Sequence, residues 1–212
     1  MRGVILSRAP NAQIVDLTHD IAPQDVRAGA WALRQASRTF PAGTIHVGVV
    51  DPGVGTERRA IAVEQRGTVF IGPDNGLLSL AVPAGDARVY ALDDARWFRQ
   101  PLSATFHGRD VFAAVAGHIA AGVEVSRCGS RCPTWVRLSW PEPTWSSSTR
   151  IAGEVAHIDR FGNLISNIPA EMLGATGSSQ PRVALAAREL GPLRTTYGEV
   201  EAGAWVAYVG SA

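Results

Sequence analysis

The apolar run Val47-Gly48-Val49-Val50 stops at Asp51-Pro52-Gly53, and paired arginines, Arg58 and Arg59, follow a Gly-rich turn. Such a run reads as a buried strand ending at a turn. In open α/β sheets, ligands gather beyond the carboxyl ends of strands. Asp51 therefore stands where a ligand is expected, and either Arg58 or Arg59 can fold back towards it. The same residue also suits a simpler role, an Asp capping its own turn.

The elements around this strand alternate. Residues 4–7 read as the tail of a helix and Ile14-Val15-Asp16-Leu17 as a short strand. Pro23-Gln24-Asp25 opens a helix, with Val26, Ala30, Leu33 and Ser37 at helical spacing. Strands are predicted over 44–50, 60–64, 68–71 and 88–92, with a short apolar helix over 77–81 after the turn Pro73-Asp74-Asn75-Gly76. An Ala-rich helix is predicted over 108–121. Strands alternating with helices argue an α/β domain with a mostly parallel, doubly wound sheet flanked by helices.

The pattern then changes. Residues 128–150 hold Cys, Pro, Ser and Trp with little periodicity and read as a linker. Strand-like runs follow at 151–158, 182–187 and 205–209. The expected organisation is an α/β domain over 1–127, the linker, and a small β-rich domain over 151–212.

Several chemistries fall away on composition. The chain has 212 residues, a net charge of +1 and 18% charged residues, which offers no electrostatic footprint for nucleic acid or an acidic membrane. All 20 basic residues are Arg, so no lysine can serve as a Schiff base, a phosphate-loop cation or a general base. Cys128 and Cys132 lack the partners that a zinc site needs, and no metal is expected. The start of the sequence does not read as a signal peptide, so none is expected, no apolar run reaches membrane-spanning length, and the expected compartment is the cytoplasm.

Three polar clusters could carry chemistry. The first is Asp51 with the two arginines. The second is Thr105-Phe106-His107-Gly108-Arg109-Asp110, before the Ala-rich helix. A His at a helix N-terminus feels the positive end of the dipole, which favours neutral imidazole able to accept a proton or orient a water; it also suits plain capping. The third is His157-Ile158-Asp159-Arg160-Phe161-Gly162-Asn163, which is equally ordinary hairpin-turn chemistry.

Seven segments in order resemble one family. They are Ile14-Val15-Asp16-Leu17-Thr18-His19, Pro23-Gln24-Asp25-Val26, the Val-Asp-Pro-Gly-Val-Gly-Thr stretch from Val50, Gly72-Pro73-Asp74-Asn75-Gly76, Phe106-His107-Gly108-Arg109-Asp110, Asp159-Arg160-Phe161-Gly162-Asn163 with Ser166-Asn167-Ile168, and Tyr208-Val209-Gly210-Ser211-Ala212. Together they are similar to the S-adenosyl-L-methionine (SAM) hydroxide adenosyltransferases, or SAM hydrolases, relatives of fluorinase and chlorinase. The resemblance implies an N-terminal α/β domain and a C-terminal barrel-like β domain. It implies cleavage of SAM by water to adenosine and methionine, with no cofactor, in a homotrimer whose active sites lie between subunits. It puts Asp51, Arg58 and His107 around the nucleophilic water, with Arg59 as the neighbouring alternative. It assigns Phe106 to the nucleoside, Asp159 to the methionine ammonium and Asn163 to adenine. Tyr208, Ser211 and Ala212 fall in its C-terminal substrate-binding segment.

The chemistry agrees with that assignment. A sulfonium leaves as a neutral thioether, so no general acid is required, and the site must supply an oriented water or hydroxide in line with the C5′–S bond. Arg cannot be the base, because its pKa stays above about 12. Arg58 can stabilise hydroxide, while Asp51 or His107 positions it or takes its proton. A carboxylate at 51 would repel a halide by on the order of 1 kcal/mol or more at 4 Å. The short segment before Pro73 also lacks the insertion of the fluorinase, so water is the expected nucleophile. Relative to the family, both ends look shortened, and the chain starts after the strand whose Asp holds the ribose hydroxyls in the family. The alternative function is a non-catalytic SAM- or adenosine-binding remnant, or a fragment, lacking that ribose-anchoring strand.

Overall fold

A computed structural model describes residues 1–174 and 180–210. The chain divides into two compact units, Met1–Ser139 and Trp140–Ala212.

The first unit opens with α1 (Arg2–Leu6) and α2 (Val26–Ser37). Asp25 caps α2 by accepting from the Ala28 amide at 2.8 Å. Strands β1 (Ile45–Val47), β2 (Ala60–Gln65), β3 (Thr68–Pro73) and β4 (Arg88–Ala91) follow. A π-helical turn, Gly108–Phe112, leads into α3 (Ala113–Ala120), and β5 (Ser130–Arg131) comes last.

The five strands form one sheet in the order β1-β3-β2-β4-β5. Only β1 and β3 run parallel; the other three pairings are antiparallel. The mostly parallel sheet expected from the alternating elements is thus corrected to a mixed one. The reason lies in two residues. Arg66 and Gly67 adopt φ of 52° and 77°, so β2 and β3 are joined by a tight left-handed turn and must run antiparallel.

Both faces of this sheet are covered, which is why its strands read as apolar runs. Ala62, Ile71 and Tyr90 pack with Val111, Phe112 and Val115 on the α3 side. Ile61, Val63 and Phe70 pack with Leu33 of α2 and with Leu77 and Leu78 on the other. Residues 77–81 form turns rather than a helix, and 14–17 form no ladder. Pro83 closes off any helical continuation of the former, because it has no amide to donate. Segment 128–150, expected as a linker, contributes β5 to the sheet, and the Cys132 amide donates to Val89 O at 2.8 Å.

The second unit contains β6 (Thr144–Ser147), β7 (Arg150–Ala152), β8 (Val155–Ile158), β9 (Leu164–Ser166), α4 (Ala170–Gly174), β10 (Arg182–Leu185) and β11 (Arg188–Pro192). They pair as three separate antiparallel hairpins, each with a register shift, so no closed barrel exists among the described residues. The run 205–209 joins by a single bridge, Arg194 to Tyr208. Bulges interrupt each ladder, and strands this short leave no continuous edge to close upon itself.

Candidate active site

Asp51 lies beyond the end of β1, where the parallel β1–β3 pair points its carboxyl ends. The loop that follows curls back through two turns, Val54 N to Asp51 O and Thr56 N to Gly53 O. Gly55 has φ +78°, and a Cβ there would sit 2.8 Å from Ala104 O, so this crossing requires glycine. The curl returns Arg58 to Asp51. Arg58 Nε donates to Asp51 Oδ1 at 2.8 Å, and Nη2 donates to Oδ2. This fork-to-carboxylate pair is largely withdrawn from solvent, with side chains 10% and 6% exposed.

Arg58 also reaches His107, Nη2 to Nδ1 at 3.1 Å, and its guanidinium lies 5.3 Å from the centre of the Phe112 ring. Guanidinium has no acceptor lone pair, so His107 Nδ1 must be the acceptor and the neutral ring carries its proton on Nε2. Burial pushes the His107 pKa down, and the Arg58 charge adds to the effect. His107 stands at the head of the π-helical turn without capping it by its side chain. A local widening of this kind is frequent at functional sites.

Arg59 faces elsewhere. Its Nε and Nη2 donate to Asp74 Oδ2 at 2.9 and 2.5 Å, Nη2 also donates to Thr134 O at 2.9 Å, and Nη1 meets Cys132 Sγ at 3.0 Å. The two adjacent arginines therefore part company, and only Arg58 touches Asp51.

Asp51 borders a cleft of about 560 Å³ that also takes in Thr18, His19, Gln24 and Leu77. Phe106, next to His107, is 60% exposed, and Arg109 lies 5.3 Å from its ring centre. Asp110, fully buried, holds Arg109 and Arg99 and accepts from the Ser103 amide at 2.9 Å. Those donors, Arg109 foremost, keep its carboxyl far below the usual range.

A second group sits in the other unit. Asp159 Oδ1 accepts from the Phe161 and Asn163 amides, each at 2.9 Å, and Oδ2 from Asn163 Nδ2 at 2.8 Å. The Asn163 side chain and these amides lower the Asp159 pKa. These two residues thus form the hairpin turn between β8 and β9. Tyr208 shares a hydroxyl–hydroxyl hydrogen bond with Tyr197, their ring centres 4.7 Å apart. That bond, with burial and the nearby Asp159 charge, raises the Tyr208 pKa. Ser211 and Ala212 lie outside the described residues.

Sequence reasoning missed the Phe112 platform and the role of Asp110 as a hub; Asp110 stands in the Phe-His-Gly-Arg-Asp run, and Phe112 lies two residues beyond it with no signal of its own. Among the described residues, no three His, Cys, Asp or Glu are grouped to hold a metal ion, and no helix is long and apolar enough to cross a membrane.

Comparison with known proteins gives this geometry a context. Residues 1–129 match the SAM hydroxide adenosyltransferase N-terminal domain and residues 153–212 the corresponding C-terminal domain. A Thermus thermophilus protein named (R)-S-adenosyl-L-methionine hydrolase is 40% identical, over all of this chain and 82% of its own length. A fluorinase of Nocardia brasiliensis is 29% identical, over 99% of this chain and 81% of its own. The crystal structure of an uncharacterized conserved protein from Thermotoga maritima superposes with a TM-score of 0.91 at 32% identity, covering 100% of this chain and 82% of that one. With both domain models in order along the sequence and 40% identity to a curated member, the chain belongs to the SAM hydroxide adenosyltransferase family.

Proposed function

We propose that this protein hydrolyses S-adenosyl-L-methionine to adenosine and L-methionine, and that Asp51, Arg58 and His107 carry the reaction. The observation that carries this reading is the Asp51–Arg58–His107 chain of hydrogen bonds beside a cleft, in a protein 40% identical to a named SAM hydrolase.

Water attacks C5′ as the C5′–S bond breaks, and its proton leaves, so SAM and water give adenosine, methionine and one proton. The sulfur takes the bonding pair and departs as a neutral thioether. Asp51 orients the water and accepts its proton, since its oxygens retain lone pairs beyond those used by Arg58. The Arg58 charge favours the developing hydroxide. His107 contributes its Nε2–H as a donor, because Nδ1 is occupied by Arg58. A buried carboxylate suits a nucleophile that has a proton to give and opposes an anionic halide. No step requires a cofactor.

Phe106 is the face for the nucleoside, and Asp159, Asn163, Tyr208, Ser211 and Ala212 bind substrate from the second domain, 151–212, joined to the first, 1–127, through 128–150. The active form is a homotrimer with sites between subunits. Supporting this, no described residue of the second unit is fully buried, and Ile158, Phe161, Leu164 and Trp205 are exposed, apolar surface that association would cover. We assign the enzyme to the cytoplasm, where free thiols such as Cys128 and Cys132 are ordinary.

The test is incubation of the purified chain with SAM and chromatographic detection of adenosine, with EDTA present and with chloride or fluoride added. Adenosine and methionine should appear in equal amounts. Replacing Asp51, Arg58 or His107 by Ala should lower kcat about 100-fold or more. Asp159→Ala and Asn163→Ala should chiefly raise KM. Absence of adenosine, or halogenated nucleoside formed faster than adenosine, would overturn the proposal.

A further inference from the structure

The strand order β1-β3-β2 puts the end of β3 between the two chain segments that carry Asp51 and Arg58. β1 leads out to Val50 and Asp51, and β2 is entered through Arg58 and Arg59. The loop between them must cross the end of β3, which finishes at Pro73. The next two residues, Asp74 and Asn75, grip both sides of that crossing.

On the β1 side, Asn75 Nδ2 donates to Val50 O at 2.9 Å, the carbonyl immediately before Asp51. Its Oδ1 accepts from its own turn, from the Leu77 amide at 3.1 Å. On the β2 side, the Asp74 amide donates to Arg59 O at 2.8 Å. The Asp74 carboxylate, 3% exposed, takes two donors from the Arg59 side chain through Oδ2 and the Val136 amide through Oδ1 at 2.7 Å. Two adjacent residues thus hold the positions flanking the Asp51–Arg58 pair, and neither touches the pair itself.

We infer that Asn75, with Asp74 and Arg59 as its counterpart on the opposite side, is a positioning residue that sets the separation and orientation of Asp51 and Arg58. This rests on the role proposed above for that pair. Without the Asn75 link, the last backbone hydrogen bond on that side is Gly48 N to Ile71 O, and the Val50 carbonyl is left to the side-chain packing of Val50 against the Leu33 and Leu77 cluster. Asp51 then moves with a free loop, while Arg58 stays tied through Arg59. Errors of about 1 Å in the placement of a reacting group can cost 100-fold in rate.

Asn75→Ser provides the test, because a Ser hydroxyl can still accept from the Leu77 amide but cannot span to Val50. In the full chain, kcat for SAM hydrolysis should fall about 10- to 100-fold with KM changed less than about 3-fold. In an Asp51→Asn background the same substitution should have almost no further effect, since it acts through Asp51. Independently of turnover, the His107 ring resonances, assigned by loss in His107→Gln, should move in Asn75→Ser, because His107 senses the pair through Arg58 Nη2. Should Asn75→Ser not fold, Arg59→Lys loosens the other side from a position 43% exposed and carries the same expectations for kcat, KM and the His107 resonances. Wild-type kcat with unmoved His107 resonances, or a full additive loss in the Asp51→Asn background, overturns the inference. A wild-type chain inactive on SAM would sink the proposed reaction instead, and the resonances would still decide the positioning role.

Discussion

Removing Arg58 alone should damage this protein more than removing Arg58 and Asp51 together. The pair is bidentate and its side chains are only 10% and 6% exposed. In Arg58→Met the guanidinium over the Phe112 ring is lost, and the Asp51 carboxylate is left buried without its cation. Breaking a buried pair on one side costs about 3–5 kcal/mol, mostly as the penalty of the orphaned charge. For a unit the size of Met1–Ser139, roughly 3 °C is lost per kcal/mol, so its melting transition should drop by about 9–15 °C. In Asp51→Asn/Arg58→Met no charge remains, and the cost should shrink to about 1–3 kcal/mol for an imperfectly bonded amide. Calorimetry or urea titration followed by tryptophan fluorescence measures both. Both variants should release adenosine from SAM about 100-fold or more slowly than the wild type, so stability and turnover separate. A double variant as unstable as the single would refute the reasoning, as would a single variant that loses under about 1 kcal/mol.

Three further outcomes follow from the same geometry. Hydrolysis should decline on acidification with a midpoint below the ordinary His value of about 6.5, because burial first and Arg58 second disfavour protonated His107; the pH profile of kcat/KM measures this, and His107→Gln should remove that limb. His46, His107 and His118 all have lowered values in the folded state, so the unfolded chain binds more protons in acid. Stability should therefore be full above about pH 6.5 and be lost as pH falls through the folded values. His46→Leu should narrow the gap in stability between pH 8 and pH 5, since His46 stacks on Phe70 with Nε2 buried and unbonded. Gly72→Ala should cost about 1–3 kcal/mol in urea titration and lower kcat as well, because its Cβ would lie 2.6 Å from Gly48 O on the strand that delivers Asp51.

Much of this was readable before any coordinates. Asp51 at the end of an apolar strand and His107 before the Ala-rich helix are local patterns, and the structure brings both to Arg58. The choice between Arg58 and Arg59 was not readable. Successive side chains in an extended segment point to opposite faces, so one of two neighbours must turn away, but nothing in the pair says which. Its resolution depends on Asp74, fifteen residues beyond Arg59 and brought back by the β2–β3 hairpin. That hairpin was itself disguised, because Arg66 is an unusual occupant of a position with φ of 52°. That the hairpins of the second unit do not join into a barrel was equally hidden. Alternation finds strands, but pairing between hairpins is decided by contacts distant in sequence. At Asp159 and Asn163, turn chemistry and substrate binding call for the same residues, and the turn is what their hydrogen bonds display.

The two thiols have a use beyond packing. Cys128 is fully buried and its pKa is pushed up to about 11 by burial, while Cys132 is 6% exposed and bonded to Thr134 O and Arg59. Neither can meet a thiol reagent in the closed fold, so the labelling rate under native conditions reads the opening equilibrium of the segment around β5. That segment also supplies Val136 and Thr134 to the Asp74–Arg59 grip. Each time it lifts, the pedestal under Asp51 and Arg58 loses its outer brace. The native cysteines are thus a built-in clock for the loosening of the proposed catalytic pair, and a substrate that tightens the loop should slow it.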